Sequence, residues 1–264
     1  MNVYPNRDRN QTLSENNQSG DLSVGRYTVK DKLLDTAYFF GQLHSLRKLA
    51  LISDTLKPRN IEMPKAECGD TALAQLFTTY GSDKSTHHDY HLLYAELLGR
   101  RRFEIRRVVE IGIGSIDLAT PQNMGLHGHP GGSLRAFRDW TPSAEIIGAD
   151  IDEKTLFNEE RIRTCVINQL ERKSFKLLKG IMPEGADLIV IDGLHTPRAD
   201  INSLLELLPS LNAESCFVVE DISPRAARIL WPFARLILKH NYSVSIRKMK
   251  NGYVFVVISG KPKK

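Results

Sequence analysis

The sequence predicts an α/β protein with a doubly wound, mostly parallel sheet of seven strands that ends in an antiparallel hairpin. Three observations support this fold class. An apolar run begins at residue 108 and breaks into the glycine turn Gly112-Ile-Gly114, as the first strand of such a sheet often does. Strand-like and helix-like segments alternate through residues 131–240. Asn251-Gly252 then separates two apolar runs, which is a strong hairpin signal.

Length and composition bound the class of protein. The chain has 264 residues and a formal charge of +5, enough for one α/β domain with an appendage. Cys68, Cys165 and Cys216 lie far apart without a C-x-x-C pair, so we expect neither a disulfide framework nor a zinc site. The sequence contains no signal peptide and no apolar run of membrane-spanning length, and a cytoplasmic protein is the default expectation.

The N-terminal region precedes the predicted sheet. Residues 1–29 are polar, and we expect them to be flexible. Residues 30–51 have apolar side chains at helical spacing, which predicts an amphipathic helix that serves as a lid, an interface of a homo-oligomer or a core helix. Further helices are predicted at 70–79 and 91–98, on either side of a polar loop at 80–90. We therefore divide the chain into 1–29, a helical extension or lid at 30–100, and an α/β domain at 101–264.

The glycine turn after the first strand is a candidate ligand site. The dinucleotide pattern G-x-G-x-x-G is incomplete, because Asp117 stands where its third glycine would be. What remains is E-x-G-x-G, from Glu110 to Gly114, which is also compatible with a tight turn that binds nothing. Residues 115–130 form an insertion without clear periodicity before a helix predicted at 131–140, and long loops of this kind tend to carry function.

Four of the five central strands end in acidic residues. We predict strands at 145–150, 164–167, 187–192 and 216–219, helices at 198–208 and through 231–240, and hairpin strands at 242–248 and 253–259. Ligands of open α/β sheets bind at the carboxyl ends of the strands. Acids stand at four of these ends: Glu110, Asp150, Asp192 and the pair Glu220-Asp221. Asp150 is placed to accept hydrogen bonds from the ribose hydroxyls of an adenosine cofactor.

Four residues on two strands that we expect to be neighbours form a candidate catalytic centre. Asp192, His195, Glu220 and Asp221 would converge, and three close carboxylates are costly without a cation. Oxygen ligands favour Mg²⁺. His195 could then accept a proton from a metal-bound hydroxyl. The structural alternative is a capping Asp192, a surface His195 and a solvated acid pair.

The chain resembles the macrocin and mycinamicin type of antibiotic-sugar O-methyltransferases, a metal-dependent branch of the class I S-adenosylmethionine-dependent methyltransferases with Rossmann-like sheets; cephalosporin-hydroxylase-like proteins are similar. The resemblance covers roughly residues 81–221. It rests on the order and spacing of several short motifs. These are Gly81-Ser-Asp-Lys84, Glu110-Ile-Gly-Ile-Gly114, Gly131-Gly-Ser-Leu-Arg135, Gly148-Ala-Asp-Ile-Asp152, Gln169, Asp192-Gly-Leu-His195 and Val219-Glu-Asp221.

The resemblance implies specific roles for these residues. Asp192, Glu220 and Asp221 would hold Mg²⁺, and His195 would be the general base. S-adenosylmethionine would be bound by Glu110, Gly112, Gly114, Ser133, Asp150, Ile151, Gln169 and Asp192. Two motifs depart from the family pattern. Strand four has Ile191-Asp-Gly-Leu-His195 where the family usually has Asp-Asp-Gly-Ser-His, and strand three ends in Ile167-Asn168-Gln169 where the family usually has Gly-Asp-Gln. Both departures leave details of substrate and cofactor binding open.

The sequence thus predicts O-methylation of a sugar or glycosylated small molecule, in natural-product biosynthesis. Two alternatives stay open. A methyltransferase acting on nucleic acid is suggested by the pI of 9.0 and by the arginines at 100–102 and 106–107, although a solvated helix end explains those arginines as well. A non-catalytic binding protein on the same fold is the other. We expect no nucleic-acid or membrane partner.

Overall fold

The computed structural model describes residues 70–238 and 242–260. The predicted segments at 1–29 and 30–51, together with Cys68, lie outside the described residues. The helices are α1 (Asp70–Thr79), α2 (Tyr90–Leu98), α3 (Gly132–Trp140), α4 (Phe175–Ile181), α5 (Pro197–Leu207) and α6 (Pro224–Ile237). The strands are β1 (Arg107–Ile111), β2 (Glu145–Asp150), β3 (Ile162–Val166), β4 (Ala186–Ile191), β5 (Leu211–Ile222), β6 (Tyr242–Lys248) and β7 (Tyr253–Ser259).

The seven strands form one sheet in the order β3-β2-β1-β4-β5-β7-β6. The first five strands are parallel, and β7 pairs antiparallel with both β5 and β6. This arrangement confirms the predicted doubly wound sheet with its C-terminal hairpin. The carboxyl ends of β1, β4 and β5 lie next to one another, so the residues that follow these strands meet at one edge.

Helices cover both faces of the sheet, because successive strand residues point to opposite sides. Val109 of β1 lies in a core cluster that contains residues of α4, α5 and α6, whereas its neighbour Val108 lies in a cluster with α1, α2 and α3. Cys165 and Cys216 are buried in these clusters. No helix among the described residues is long and apolar enough to cross a membrane.

The two helices before β1 pack tightly against α3. The ring of Phe137 on α3 makes edge contacts with Phe77 of α1 and Tyr94 of α2, at centroid distances of 5.4 and 5.0 Å. These helices thereby fix both ends of the polar loop 80–89 over the carboxyl edge of the sheet. A division of the chain at residue 100 stays a prediction.

Several boundaries differ from those predicted. Strand β3 begins two residues earlier, at Ile162, and the short helix α4 was not predicted. Strand β5 continues through Glu220-Asp221 to Ile222, although its pairing with β7 shifts between Val219 and Ile222. Side chains at Thr196 and Ser223 cap α5 and α6, and each helix has proline in its first turn.

Candidate functional site

The glycine turn after β1 packs directly against the loop after β4. Gly112 has φ +88°, and a Cβ there would lie 2.1 Å from the backbone oxygen of Asp192. The next amide, of Ile113, donates to Oδ2 of Asp150 at 2.9 Å. Only glycine combines this conformation with so close an approach. The turn therefore joins the ends of β1, β2 and β4 into one rigid unit.

A cavity of about 450 Å³ opens beside this turn. Its walls include six of the predicted cofactor-binding residues, from four strand ends and the loops that follow them. These are Gly112, Gly114, Asp150, Ile151, Gln169 and Asp192. The structure brings this part of the prediction together in one place, which we call the cofactor cavity.

Gln169 links the cofactor cavity to α5 and to the loop after β4. Its Oε1 accepts a hydrogen bond from the amide of Leu194 at 2.8 Å, and its Nε2 donates to Oγ of Ser203 at 3.0 Å. These two bonds fix the orientation of the side-chain amide. The neighbouring Asn168, where the sequence departs from the family pattern, also lines the cavity.

A second, more polar cavity of about 660 Å³ adjoins the first. The two share wall residues Gly112, Gly114, Gln122 and Asp192. Its other walls include the loop 80–89, the insertion, the start of α3, His195 and Asp221. The polar side chains of the loop and the insertion that line it include Ser82, Asp83, His88, Asn123, His127 and His129. The insertion at 115–130 thus contributes to both cavities, and the second one is suited to a ligand rich in hydroxyl groups.

Three of the predicted catalytic residues form a cluster at this boundary. Asp192, His195 and Asp221 each offer one ligand atom, and these atoms all lie within 4.8 Å of one another. His195 Nε2 is 3.6 Å from Asp192 Oδ1. Asp221 has φ +50° at the point where the pairing of β5 and β7 shifts. A bulge of this kind re-aims a side chain, here towards the residues that follow β4.

Glu220, the remaining predicted metal ligand, has a different environment. Its side chain is fully buried, and it accepts hydrogen bonds from the hydroxyl of Tyr94 and the ammonium of Lys84. Burial and the nearby carboxylates of Asp192 and Glu110 raise the pKa of Glu220 well above its usual value, although Lys84 opposes the shift. Glu220 lines neither cavity.

Lys84 is the functional residue that sequence reasoning missed. Its ammonium is 3.2 Å from Glu110 Oε1 and 2.5 Å from Asp192 Oδ2, and it also contacts Glu220. The side chain is only 3% exposed. Burial lowers the pKa of Lys84, but the three carboxylates outweigh burial and hold it well above its usual value. Lys84 belongs to the motif Gly81-Ser-Asp-Lys84. Nothing local in the sequence, however, shows that its side chain contacts residues at the ends of three strands.

Glu110 and Ser133, both predicted to bind the cofactor, lie elsewhere than the other six residues. Glu110 is fully buried and lines neither cavity, and its Oε2 accepts a hydrogen bond from Ser133 Oγ at 2.6 Å. Ser133, on α3, lines the second cavity. The pair therefore ties the start of α3 to the end of β1 behind the glycine turn.

The chain is similar in sequence to known antibiotic-sugar O-methyltransferases. No family model matches the chain. It is 32% identical over 151 residues to the 8-demethyl-8-alpha-L-rhamnosyl tetracenomycin-C 2'-O-methyltransferase of Streptomyces olivaceus, covering 57% of this chain and 37% of that enzyme. It is 30% identical over 120 residues to the mycinamicin VI 2''-O-methyltransferase of Micromonospora griseorubida, covering 44% and 27%. The chain is a relative of antibiotic-sugar O-methyltransferases.

A solved structure within this group of sugar O-methyltransferases has the same fold. The MycE methyltransferase from the mycinamycin pathway, in complex with Mg and SAH, aligns with a TM-score of 0.57 at 23% identity, over 71% of this chain and 54% of that one. A second MycE complex, which also contains mycinamycin VI, aligns with a TM-score of 0.56. The chain spans less than half the length of the curated sugar O-methyltransferases that it matches.

Proposed function

We propose that this protein is an S-adenosylmethionine- and Mg²⁺-dependent O-methyltransferase that acts on a sugar hydroxyl of a glycosylated small molecule. One observation carries the proposal: Asp192 lies in the wall between the two cavities and also belongs to the cluster with His195 and Asp221. A cofactor in the first cavity, a cation at the cluster and an acceptor in the second cavity would therefore meet at Asp192. Methyl transfer needs that proximity, since it depends on aligning nucleophile and methyl group.

The cofactor cavity supports S-adenosylmethionine as the methyl donor. Asp150, at the end of β2, lies in its wall at the position from which ribose hydroxyls are usually bound. Asp117, in place of a third glycine, argues against a dinucleotide. The structural relative MycE is described with SAH. Gly112 leaves the backbone open for close approach of the ligand.

The residues of the cluster fit a divalent cation. Asp192 and Asp221 offer ligand atoms within 4.8 Å of each other, and Asp192 shares the buried ammonium of Lys84 with Glu110 and Glu220. Mg²⁺ would be held by Asp192 and Asp221, with Glu220 as the third predicted ligand. When bound, the cation would lower the pKa of an acceptor hydroxyl and stabilise the alkoxide that forms.

His195 is the proposed general base. Methyl transfer from a sulfonium to a hydroxyl releases one proton, and the imidazole lies beside Asp192 in the second cavity, where the hydroxyl would be. Asp192 Oδ1, at 3.6 Å, is placed to stabilise the imidazolium after Nε2 has accepted the proton. Holding the acceptor oxygen between cation and imidazole would give both deprotonation and alignment.

The second cavity supports a sugar as the acceptor. Its histidine, asparagine and serine side chains offer both donors and acceptors, as a ring of hydroxyl groups requires. The curated relatives are named as methyltransferases of rhamnosyl tetracenomycin and of mycinamicin VI. By analogy, the natural acceptor of this protein would be a glycosylated natural product.

A nucleic-acid substrate has less support. Arg101, Arg102 and Arg107 donate to backbone carbonyls of Glu214, Trp140 and Gly185, respectively. Arg107 begins β1, so it lies at the opposite end of that strand from the cavities. These three arginines therefore have structural partners, which favours their interpretation as part of the fold over a nucleic-acid surface.

Calorimetry tests the proposal. S-adenosylmethionine is titrated into the wild type, Asp150→Asn and Asp221→Asn, with and without Mg²⁺. We expect micromolar cofactor binding by the wild type and Asp221→Asn, a separate Mg²⁺ signal that Asp221→Asn lacks, and weakened cofactor binding by Asp150→Asn. Cofactor binding without any Mg²⁺ signal would remove the metal from the mechanism. Failure of the wild type to bind the cofactor would leave a non-catalytic protein on this fold.

The role of His195 is tested separately. Rhamnosyl and macrolide glycosides are screened for SAH formation, and His195→Gln is assayed with the accepted compound. Removal of a general base lowers kcat about 10²- to 10⁴-fold, while cofactor and metal binding stay unchanged. A fall of less than about threefold in kcat would assign proton removal to another group.

A further inference from the structure

Lys84 connects the cofactor side of the site to its metal side. Its ammonium contacts Glu110 near the end of β1, Asp192 directly after β4, and Glu220 in β5. These strands are neighbours in the sheet. One buried cation therefore bridges the ends of three adjacent strands, and it does so from a loop that belongs to none of them.

The loop that carries Lys84 is fastened on two sides. The backbone oxygen of Lys84 accepts a hydrogen bond from the amide of Tyr90 at 2.7 Å, and the amide of Ser82 donates to Phe77 at 2.8 Å. On the hairpin side, Asn251 Nδ2 donates to the carbonyl of His87 at 2.6 Å. The backbone that carries Lys84 is thus held in place by the fold.

Glu110 depends on this ammonium. Among the described residues, Oε1 of Glu110 has no hydrogen-bond partner, and its close contact is the ion pair with Lys84. Oε2 is committed to Ser133. A fully buried carboxylate that loses its counter-ion must take up a proton or move, and either event is costly. Since Gly112 follows two residues later, movement of Glu110 would disturb the turn that lines the cofactor cavity.

We propose that Lys84 is a positioning residue that serves as the permanent counter-ion of Glu110, so that the cofactor cavity is formed and binds its ligand without the divalent cation. This inference rests on the proposed function and goes further, because it assigns a task to a residue outside the predicted set. Without Lys84, the carboxylates would need the divalent cation as their counter-ion, and cofactor binding would become dependent on metal.

The test measures SAH binding by calorimetry in EDTA and in saturating Mg²⁺. We expect the wild type to bind SAH with the same affinity in both conditions. Lys84→Met should bind SAH at least about tenfold more weakly in EDTA and recover most of that loss in Mg²⁺. Lys176→Met, at an exposed position of α4, is the matched control and should behave as the wild type does.

A second variant covers the case in which Lys84→Met does not fold. In Glu110→Gln/Lys84→Met the carboxylate and its counter-ion are removed together, so SAH binding should be stronger in EDTA than for Lys84→Met and independent of Mg²⁺. If that double variant still requires Mg²⁺, the inference is wrong. It is also wrong if Lys84→Met binds SAH in EDTA within twofold of the wild type, or if Mg²⁺ restores nothing. Absence of SAH binding by the wild type would instead refute the proposed function itself.

Discussion

Tyr90 and Tyr94 lie one turn apart on α2, and their hydroxyls donate hydrogen bonds to two consecutive residues of β5. Tyr90 bonds Oδ1 of Asp221 at 2.5 Å, and Tyr94 bonds Oε1 of Glu220. Asp221 lies where the pairing of β5 with β7 shifts, whereas Glu220 is fully buried. The helix thus supports two acids with different surroundings.

The hydroxyl of Tyr94 should contribute mainly to stability. Tyr94→Phe keeps the ring packed against Phe137 but leaves one oxygen of the buried Glu220 without its donor, so we expect a loss of about 1–3 kcal/mol in the free energy of unfolding. Tyr80→Phe, which removes a more exposed hydroxyl bonded to Asp139, is the control and should lose less. Urea denaturation measures both, and equal losses would contradict the argument.

The hydroxyl of Tyr90 should contribute mainly to metal binding. It orients Asp221, which faces the second cavity and is a proposed ligand. Groups that orient metal ligands typically change affinity about 10- to 100-fold, so Tyr90→Phe should weaken binding of Mn²⁺, used as a paramagnetic substitute for Mg²⁺. SAH binding should stay within about twofold. Unchanged Mn²⁺ affinity in an electron paramagnetic resonance titration would show that Tyr90 does not position the ligand.

Two glycines with opposite surroundings give a matched pair. Gly112→Ala would place a Cβ 2.1 Å from the Asp192 carbonyl oxygen at φ +88°, so we expect lower stability and loss of cofactor binding. Gly180, on α4, has open space around its Cβ position. Gly180→Ala should therefore raise the free energy of unfolding by up to about 1 kcal/mol through helix propensity. Thermal unfolding measures both changes in stability. The prediction is wrong if neither substitution changes the stability.

Asp200 should make stability depend on pH. It is 1% exposed, and burial raises the pKa of its carboxyl well above the ordinary value of 3.8. The folded state therefore holds this proton to higher pH than the unfolded state does, and stability is lost as the pH rises from about 4 through the folded-state pKa. Asp200→Asn cannot ionise and should exceed the wild type by about 1 kcal/mol or more at neutral pH.

The comparison with Asp200→Asn needs a pH series. Urea denaturation at pH 4 should give similar stabilities for the two proteins, and the difference should grow towards neutral pH. Glu184→Gln, at a side chain that is 85% exposed, is the control and should follow the wild type throughout. A constant difference at all pH values would mean that ionisation of Asp200 is not the cause.

Local patterns were sufficient to predict most of the sheet. The apolar runs of β1, β2 and β4 and the Asn251-Gly252 turn are short-range signals, and every strand except β5 lies within two residues of its predicted position. Strand β5 begins at Leu211 rather than at Cys216. The end of β5 was predicted less well. Its acid pair was placed after the strand, whereas the backbone continues through a bulge to Ile222, and a bulge depends on the pairing with β7.

The candidate site was also predictable only in part. Parallel strand order alone predicts that Asp192 and Asp221 meet, because residues at the carboxyl ends of adjacent strands share an edge. The burial of Glu110 and Glu220 and their dependence on Lys84 could not be predicted, since the lysine lies 26 residues before Glu110 on a loop. Contacts of this type are set by how α1 and α2 pack, which no local pattern encodes.

The insertion between β1 and α3 lines both cavities but contributes no residue to the strand pairing of the sheet. Its first part is anchored on the cofactor side, where Ser115 bonds Asp152 at 2.5 Å. Its later part, with Asn123, His127 and His129, faces the second cavity. Residues 123–129 therefore line only the second cavity, so exchanging this segment would reshape that cavity while leaving the walls of the first in place.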